Sequence, residues 1–335
     1  MKSFWNEIDK PIFALAPMED VTDTVFREVI LSISNPQYIG VMMAEFTSTD
    51  GICHPVGKAK VTHRLYISSS ERELLKQMNV KIIAQIWGSK PENFLKSAEI
   101  ISNDYDFDGI DINMGCPVKK IVKQASCSQL IQFPELAKEI IYATMKGSKI
   151  PVSVKTRTGI KTHITEQWIS TLLETKPAAI TLHGRTQKMM SAYPAEWDEI
   201  KKAVDVRNAL NPDTVMLGNG DVLTIEDGLN KITETGADGV MIGRGIFANP
   251  WIFNLKSTKM EAADKLAILW KHANLFGSTW GKEKKFPILK RFFKIYTSDF
   301  HGAAEMRAKF METNSIDDVR RILDETGLQI KGYNY

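Results

Sequence analysis

The sequence predicts a (β/α)8 TIM barrel followed by a small C-terminal all-α domain. Three observations predict it: eight short apolar, often β-branched segments, helical periodicity between them, and the loss of strand signal after Phe253. The segments cover residues 12–18, 40–46, 81–88, 109–116, 151–159, 178–186, 215–222 and 239–245, and their starts lie 24 to 42 residues apart. Strands that alternate with helices pair in parallel through right-handed crossovers. Eight such units in about 250 residues match the size of a (β/α)8 barrel. An open doubly wound sheet is the structural rival, but it generally needs fewer strands, and no GxGxxG follows the first segment.

The intervening helices carry their own start signals. Pro91-Glu-Asn-Phe and Phe133-Pro-Glu-Leu place proline in a first turn with glutamate beside it, which suits a helix start. Beyond Phe253, residues 262–276, 286–298, 302–313 and 315–326 all read as helices. Ser315 stands ahead of Asp317 and Asp318 as a capping hydroxyl, and Gly327 suits a C-terminal cap. The expected division is a catalytic barrel over residues 1–253 and a helical domain over 254–335.

Composition narrows the class. No apolar run approaches the roughly 18 residues that span a bilayer, and the first ten residues are too polar for a signal peptide. A cytoplasmic protein with no membrane partner is expected, and the sequence leaves the oligomeric state open, a monomer included. The three cysteines, Cys53, Cys116 and Cys127, form no CxxC, so neither a disulfide framework nor a metal site is indicated. Residues 254–335 hold 15 Lys and Arg against 10 Asp and Glu, while the rest holds 28 against 30, so the positive charge gathers at the C-terminal end. Within it, the basic, aromatic segment 282–294 is the natural contact for a polyanion.

A barrel of this kind carries its active site at the C-terminal ends of its strands. Seven of the eight expected strands end there in polar or glycine-rich groups: Ala16-Pro-Met18, Gln85-Ile-Trp-Gly88, Asn113-Met-Gly-Cys-Pro117, Lys155-Thr-Arg157, His183-Gly-Arg-Thr186, Asn219-Gly-Asp221 and Gly243-Arg-Gly245. The last two are glycine turns on adjacent strands, where barrels bind phosphate through backbone N–H groups, and Arg244 adds a cation. Lys155 should point into the mouth, as a fixed cation beside an anionic ring. Gln85 and Asn113 offer donor–acceptor pairs for a ring edge. Cys116 sits in a turn with Lys119, Lys120 and Lys123 close behind, which would favour its thiolate. By residue type it is a nucleophile, a proton donor or a small buried hydrophobe. Cys53 and Cys127 read as structural.

Taken together the strand ends resemble the tRNA-dihydrouridine synthase family. The resemblance is carried by Ala16-Pro-Met18, Asp111-Ile-Asn-Met-Gly-Cys-Pro117, Lys155-Thr-Arg-Thr-Gly159, His183-Gly-Arg-Thr186, Gly218-Asn-Gly-Asp221 and Gly239-Val-Met-Ile-Gly-Arg-Gly245, in family order. It implies a flavin-bearing barrel with a helical tRNA-binding domain, using FMN and NADPH. It places Pro17, Met18, Gln85, Lys155, His183, Asn219, Gly220, Asp221, Gly243 and Arg244 at the flavin, Cys116 as the catalytic acid, and Asn113, Arg157 and Arg185 towards the base and the RNA. Two runs depart from the family pattern. Gln187, Ser191 and Tyr193 stand where Arg, Tyr and Gly are usual, and Ala125-Ser-Cys127 replaces a Gly-Ala-Gly step. Two rival readings are a flavin barrel acting on a free pyrimidine, which leaves the basic tail unused, and an RNA-binding homologue without catalysis, which leaves Cys116, Lys155 and Arg244 unused.

Overall fold

The structure, a computed structural model, describes residues 3–118, 122, 124–255, 260–281 and 283–327. Lys119, Lys120, Lys123 and Lys282 lie outside the described residues. The strands are β1 (Ile12–Leu15), β2 (Val41–Met43), β3 (Thr47–Ser48), β4 (Lys81–Trp87), β5 (Gly109–Met114), β6 (Val152–Arg157), β7 (Ala179–His183), β8 (Val215–Asn219) and β9 (Gly239–Ile242). Every pairing is parallel, and β1 joins β2 on one side and β9 on the other, so the sheet closes on itself. The expected (β/α)8 barrel is what forms.

One strand is broken. The second segment runs as β2, continues its ladder as far as the Ala44 N–H on the Ile83 carbonyl, and resumes as β3 on β4. Between them Glu45 is buried, and its carboxylate accepts from the Asp20 N–H at 2.6 Å. The regular pairing that residues 40–46 were expected to keep thus ends at Ala44.

Strand alternation sorts side chains onto two surfaces. The outward set, with Phe13, Leu15, Ile82, Ile112, Val154, Leu182 and Val240, packs under the helices in the larger core. The inward set fills the barrel lumen with Ile12, Ala14, Val41, Met43, Ile83, Ala179, Val215, Leu217 and Met241. Trp5, from a short N-terminal 3-10 turn, joins this inner cluster and plugs the N-terminal end. Register then puts Gln85 beside Asp111, Asp111 beside Ser153, Asn113 beside Lys155, and Lys155 beside Thr181. The lumen therefore has an apolar wall on β8, β9, β1 and β2, and a polar wall on β4 to β7.

The expected prolines start their helices: Pro91 opens Pro91–Asp104 and Pro134 opens Pro134–Gly147. Beyond the barrel lie helices Ala262–Trp280, Lys290–Tyr296, Ala303–Glu312 and Ile316–Glu325, the last with the Ser315 capping box and Gly327 left-handed behind it. These helices dock on the first barrel helix, Thr24–Ile33. Phe26 stacks on Phe292 at 5.3 Å, and His272 lies 4.6 Å from Phe292 and donates to or accepts from the Tyr296 hydroxyl at 2.9 Å. Asp23 caps that helix through the Phe26 N–H, while its other oxygen accepts from Trp280 Nε1 and Lys284 Nζ, both at 2.8 Å. Among the described residues, no helix is long and apolar enough to cross a membrane.

A buried ion pair fixes that first helix to the next one along the sheet. Arg27 meets Glu71 through two bonds of 2.6 and 2.8 Å, with both side chains fully buried, and it also donates to the carbonyls of Thr22 and Tyr66. Removing one partner of such a pair leaves a desolvated charge and costs about 3–5 kcal/mol. Arg27→Met should lower the unfolding free energy by that amount, read from the midpoint and slope of urea unfolding; an unchanged midpoint would mean the pair contributes nothing net.

Candidate active site

The polar wall ends at Cys116 through a relay of side chains. Ser153 donates to Asp111 at 2.6 Å, and Gln85 donates to the other Asp111 oxygen at 2.7 Å. Asn113 donates to Gln85 Oε1 at 2.9 Å, and its own oxygen accepts from the N–H groups of Gly115 and Cys116, both at 3.0 Å. The relay uses the carboxamide oxygens of both Gln85 and Asn113. Each residue keeps one N–H proton for a ligand, so the donor–acceptor pairs expected from the sequence become donors. Burial raises the Asp111 carboxyl to about 6, against the bonds from Ser153 and Gln85 and the charge of Lys155.

Cys116 is part-buried at the mouth, packed with Phe46, Trp87 and Cys127. Its thiol is lowered to about 7, chiefly by a hydrogen bond from Cys127, against burial, with help from the Val118 backbone and the Arg157 charge. Cys127 itself is pushed well above its ordinary value by burial and by Cys116. Cys127 is thus a structural residue by burial, as expected, and also the nearest partner of Cys116. Sequence alone gave no sign of that contact, because it depends on a loop returning eleven residues later.

Lys155 lies in the lumen as expected, bonded to Asn219 Oδ1 at 3.0 Å. Burial, then Arg157, lowers it to about 8, which still leaves a cation at neutral pH. Asn219 is held in turn by donation to the Met241 carbonyl at 2.8 Å. His183 is kept neutral by burial and by four surrounding cations, and its Nε2 accepts from Arg185 at 3.0 Å.

Arg157 and Arg185 are buried and occupied. Arg157 donates to the carbonyls of Gly115, Thr186 and Met190, so it braces the Cys116 turn from below. Arg185 binds the Tyr193 carbonyl and Asp221. Asp221 also accepts from the Ala195 N–H and from Arg244 at 3.2 Å. Burial works against its ionisation and is outweighed by these partners, so its carboxyl is lowered. Asp221 therefore orients two arginines.

The glycine turns follow two adjacent strands at the rim. Gly220 and Asp221 follow the last ladder residue of β8, and Gly243 and Arg244 follow that of β9, so their N–H groups stand outside the sheet pairing. Gly220 has φ 127°, and a Cβ there would lie 2.5 Å from that of Ala195, so only glycine serves. Asp221 follows at φ 52°, and such turns form concave anion sites. Pro17 and Met18 line the mouth half-exposed on the far side. The donor set fits an anionic, phosphate-bearing planar group: free N–H groups and Arg244 for the phosphate, Lys155 and amide donors for a ring. A separate cluster of His163, Glu196 and Glu199 is a structural tie, since Glu199 already accepts from Thr165 and Lys202.

These features define a parallel barrel protein with one part-buried thiol and one buried amine at the C-terminal ends of its strands. The family model described as Dihydrouridine synthase (Dus) matches residues 14–330. The chain belongs to the dihydrouridine synthase family. It is similar to a Probable tRNA-dihydrouridine synthase of Staphylococcus aureus (strain COL), 40% identical over 331 residues, covering 98% of this chain and 97% of that one. It is also similar to Probable tRNA-dihydrouridine synthase 2 of Bacillus subtilis (strain 168), 40% identical over 328 residues and covering 97% and 96% of the two chains. Among solved structures, orotidine 5'-phosphate decarboxylase from Pyrococcus horikoshii OT3 aligns at a TM-score of 0.43 with 14% identity, over 72% of this chain and 93% of that one, too distant to bear on the site.

The electrostatics of Cys116 are directly testable. Alkylation of Cys116 by iodoacetamide, followed by peptide mass spectrometry, should rise with pH about a midpoint near 7. A midpoint at the ordinary thiol value of about 8.5 would remove Cys127 and Arg157 as its neighbours in effect.

Proposed function

We propose that this chain reduces the C5–C6 double bond of specific uridines in tRNA to dihydrouridine, with FMN at the barrel mouth, NADPH as reductant and Cys116 as the general acid. The observation that carries the reading is the Cys116 thiol, fixed by Asn113 and the Arg157-braced turn on the same rim as Lys155 and the two glycine turns. The cofactor, when bound, supplies the hydride that enters C6 of the uracil ring.

The chain's own groups do the rest. The backbone at Gly220, Asp221, Gly243 and Arg244 holds the phosphate, with the Arg244 side chain beside it. Lys155 places positive charge at the electron-rich edge of the ring, where charge develops during reduction. Gln85 and Asn113 each donate one N–H, Asn219 holds Lys155, and neutral His183 offers a hydrogen bond without charge. Pro17 and Met18 give the ring an apolar edge. Cys116 holds its proton at Sγ and releases it to C5, a contribution that is typically about 10²–10⁴-fold. The thiolate left behind is met by the Cys127 thiol, the Val118 backbone and the Arg157 charge. Asn113 lies nearest the base, while Arg157 and Arg185 serve the substrate through the positive field at the mouth. Such a site belongs in the cytoplasm, with tRNA.

A uridine stacked in folded RNA must be extruded to reach this mouth, at a cost of a few kcal/mol. Phosphate contacts from residues 254–335 offset it. Lys285, Arg291 and Lys294 are exposed on the helical part that docks on the helix Thr24–Ile33.

Two experiments test the reading. The purified protein should be yellow with bound flavin, and Cys116→Ala should keep the colour and NADPH oxidation but lose uridine reduction; wild-type turnover of tRNA by that variant would end the proton-donor assignment. Lys285→Glu with Lys294→Glu should weaken tRNA binding and flatten the salt dependence, the slope of log K against log salt falling by about 0.7–0.9 per lost phosphate contact. An unchanged slope would clear these lysines of any RNA contact.

A further inference from the structure

Ala125 and Cys127 have left-handed backbones, with φ 53° and 54°. That conformation is unfavourable for a residue with a side chain. At the second position the side chain carried is a thiol, fully buried beneath Phe46 and Trp87 and hydrogen-bonded to Cys116. The two segments are clamped together, for Ser128 donates its N–H and its hydroxyl to the Cys116 carbonyl at 3.4 and 2.7 Å. Gln187 in turn donates to the Ser128 hydroxyl at 2.9 Å, which ties the clamp to the loop after β7. A disulfide spans Cα atoms about 4.4–6.8 Å apart, and here the two cysteines pack together with their thiols hydrogen-bonded.

We propose that Cys116 and Cys127 are a dithiol that hydrogen peroxide closes into an intramolecular disulfide, a reversible modification that switches the site off and shields Cys116 from further oxidation. The Cys116 thiolate attacks one peroxide oxygen, takes up OH as a sulfenic acid, and releases hydroxide, which a proton converts to water. The Cys127 sulfur then displaces the sulfenic oxygen, its S–H proton leaving with that oxygen as a second water. Two thiols lose two electrons and two protons, and one peroxide becomes two waters. A small dithiol such as dithiothreitol restores both thiols by exchange. The part-exposed sulfur is the one peroxide meets, and the buried sulfur resolves it. Only the effect on turnover rests on Cys116 being the proton donor; closure of the disulfide does not.

The test uses the full-length protein with its native complement of bound groups. After peroxide treatment, the denatured protein should show one titratable thiol, Cys53, in place of its three cysteines, and a Cys116–Cys127 cross-linked peptide lighter by two hydrogens. Dithiothreitol should restore all three. Cys127→Gly, which suits the left-handed backbone, should give no cross-link and let Cys116 proceed to sulfinic acid, which dithiothreitol does not reverse. Sulfinic Cys116 beside a free Cys127 in the wild type, or three thiols still titratable, overturns the proposal. A cross-link without loss of uridine reduction leaves the pair standing and overturns the role of Cys116 in turnover.

Discussion

A polar side chain inside a closed barrel can send its hydrogen bonds only to another inside residue, and the rest of this site follows from that constraint. Gln85, Asp111, Asn113 and Ser153 face a lumen that is apolar on its opposite wall, and each must be satisfied by the next. Parallel register makes it possible by setting these residues side by side on adjacent strands. The last oxygen in the chain, on Asn113, has no side-chain donor to turn to and takes two backbone N–H groups instead. The position of Cys116 is therefore set by the register of the sheet more than by its own loop.

The same logic governs the seam between the barrel and the C-terminal helices. Asp23 uses one oxygen to cap a barrel helix and the other to hold Trp280 and Lys284. Lys284 lies 4.0 Å from the centre of the Trp280 ring, so the cation is satisfied by a carboxylate and an aromatic face together. Burial raises the Glu45 carboxyl despite Lys284 nearby, and one of its oxygens has no hydrogen-bond partner among the described residues. Ionic groups from both parts thus meet directly under the loop that carries Pro17 and Met18, and the orientation of the helices is fixed relative to the mouth.

Much of this was legible in the sequence, because closure of a barrel needs β-branched runs at regular spacing and rim chemistry at their ends. The break at Glu45 was not, since a ladder that persists to Ala44 reads as one strand until the carboxylate is seen to be buried against the Asp20 N–H. The arginines were legible only as charges. Arg157 and Arg185 differ from Arg244 in having carbonyls within reach, and which guanidinium finds a carbonyl is settled by loop return, not by residue type. The left-handed backbones at Ala125 and Cys127 are likewise imposed by packing, as neither residue prefers them.

Trp5 has a consequence for traffic. With its indole seated among Ile12, Val41, Ile83, Ala179 and Val215, it stoppers the lumen at the end opposite Cys116. A barrel corked at one end is a cul-de-sac. Among the described residues, the approach to Cys116 is therefore across the C-terminal rim alone.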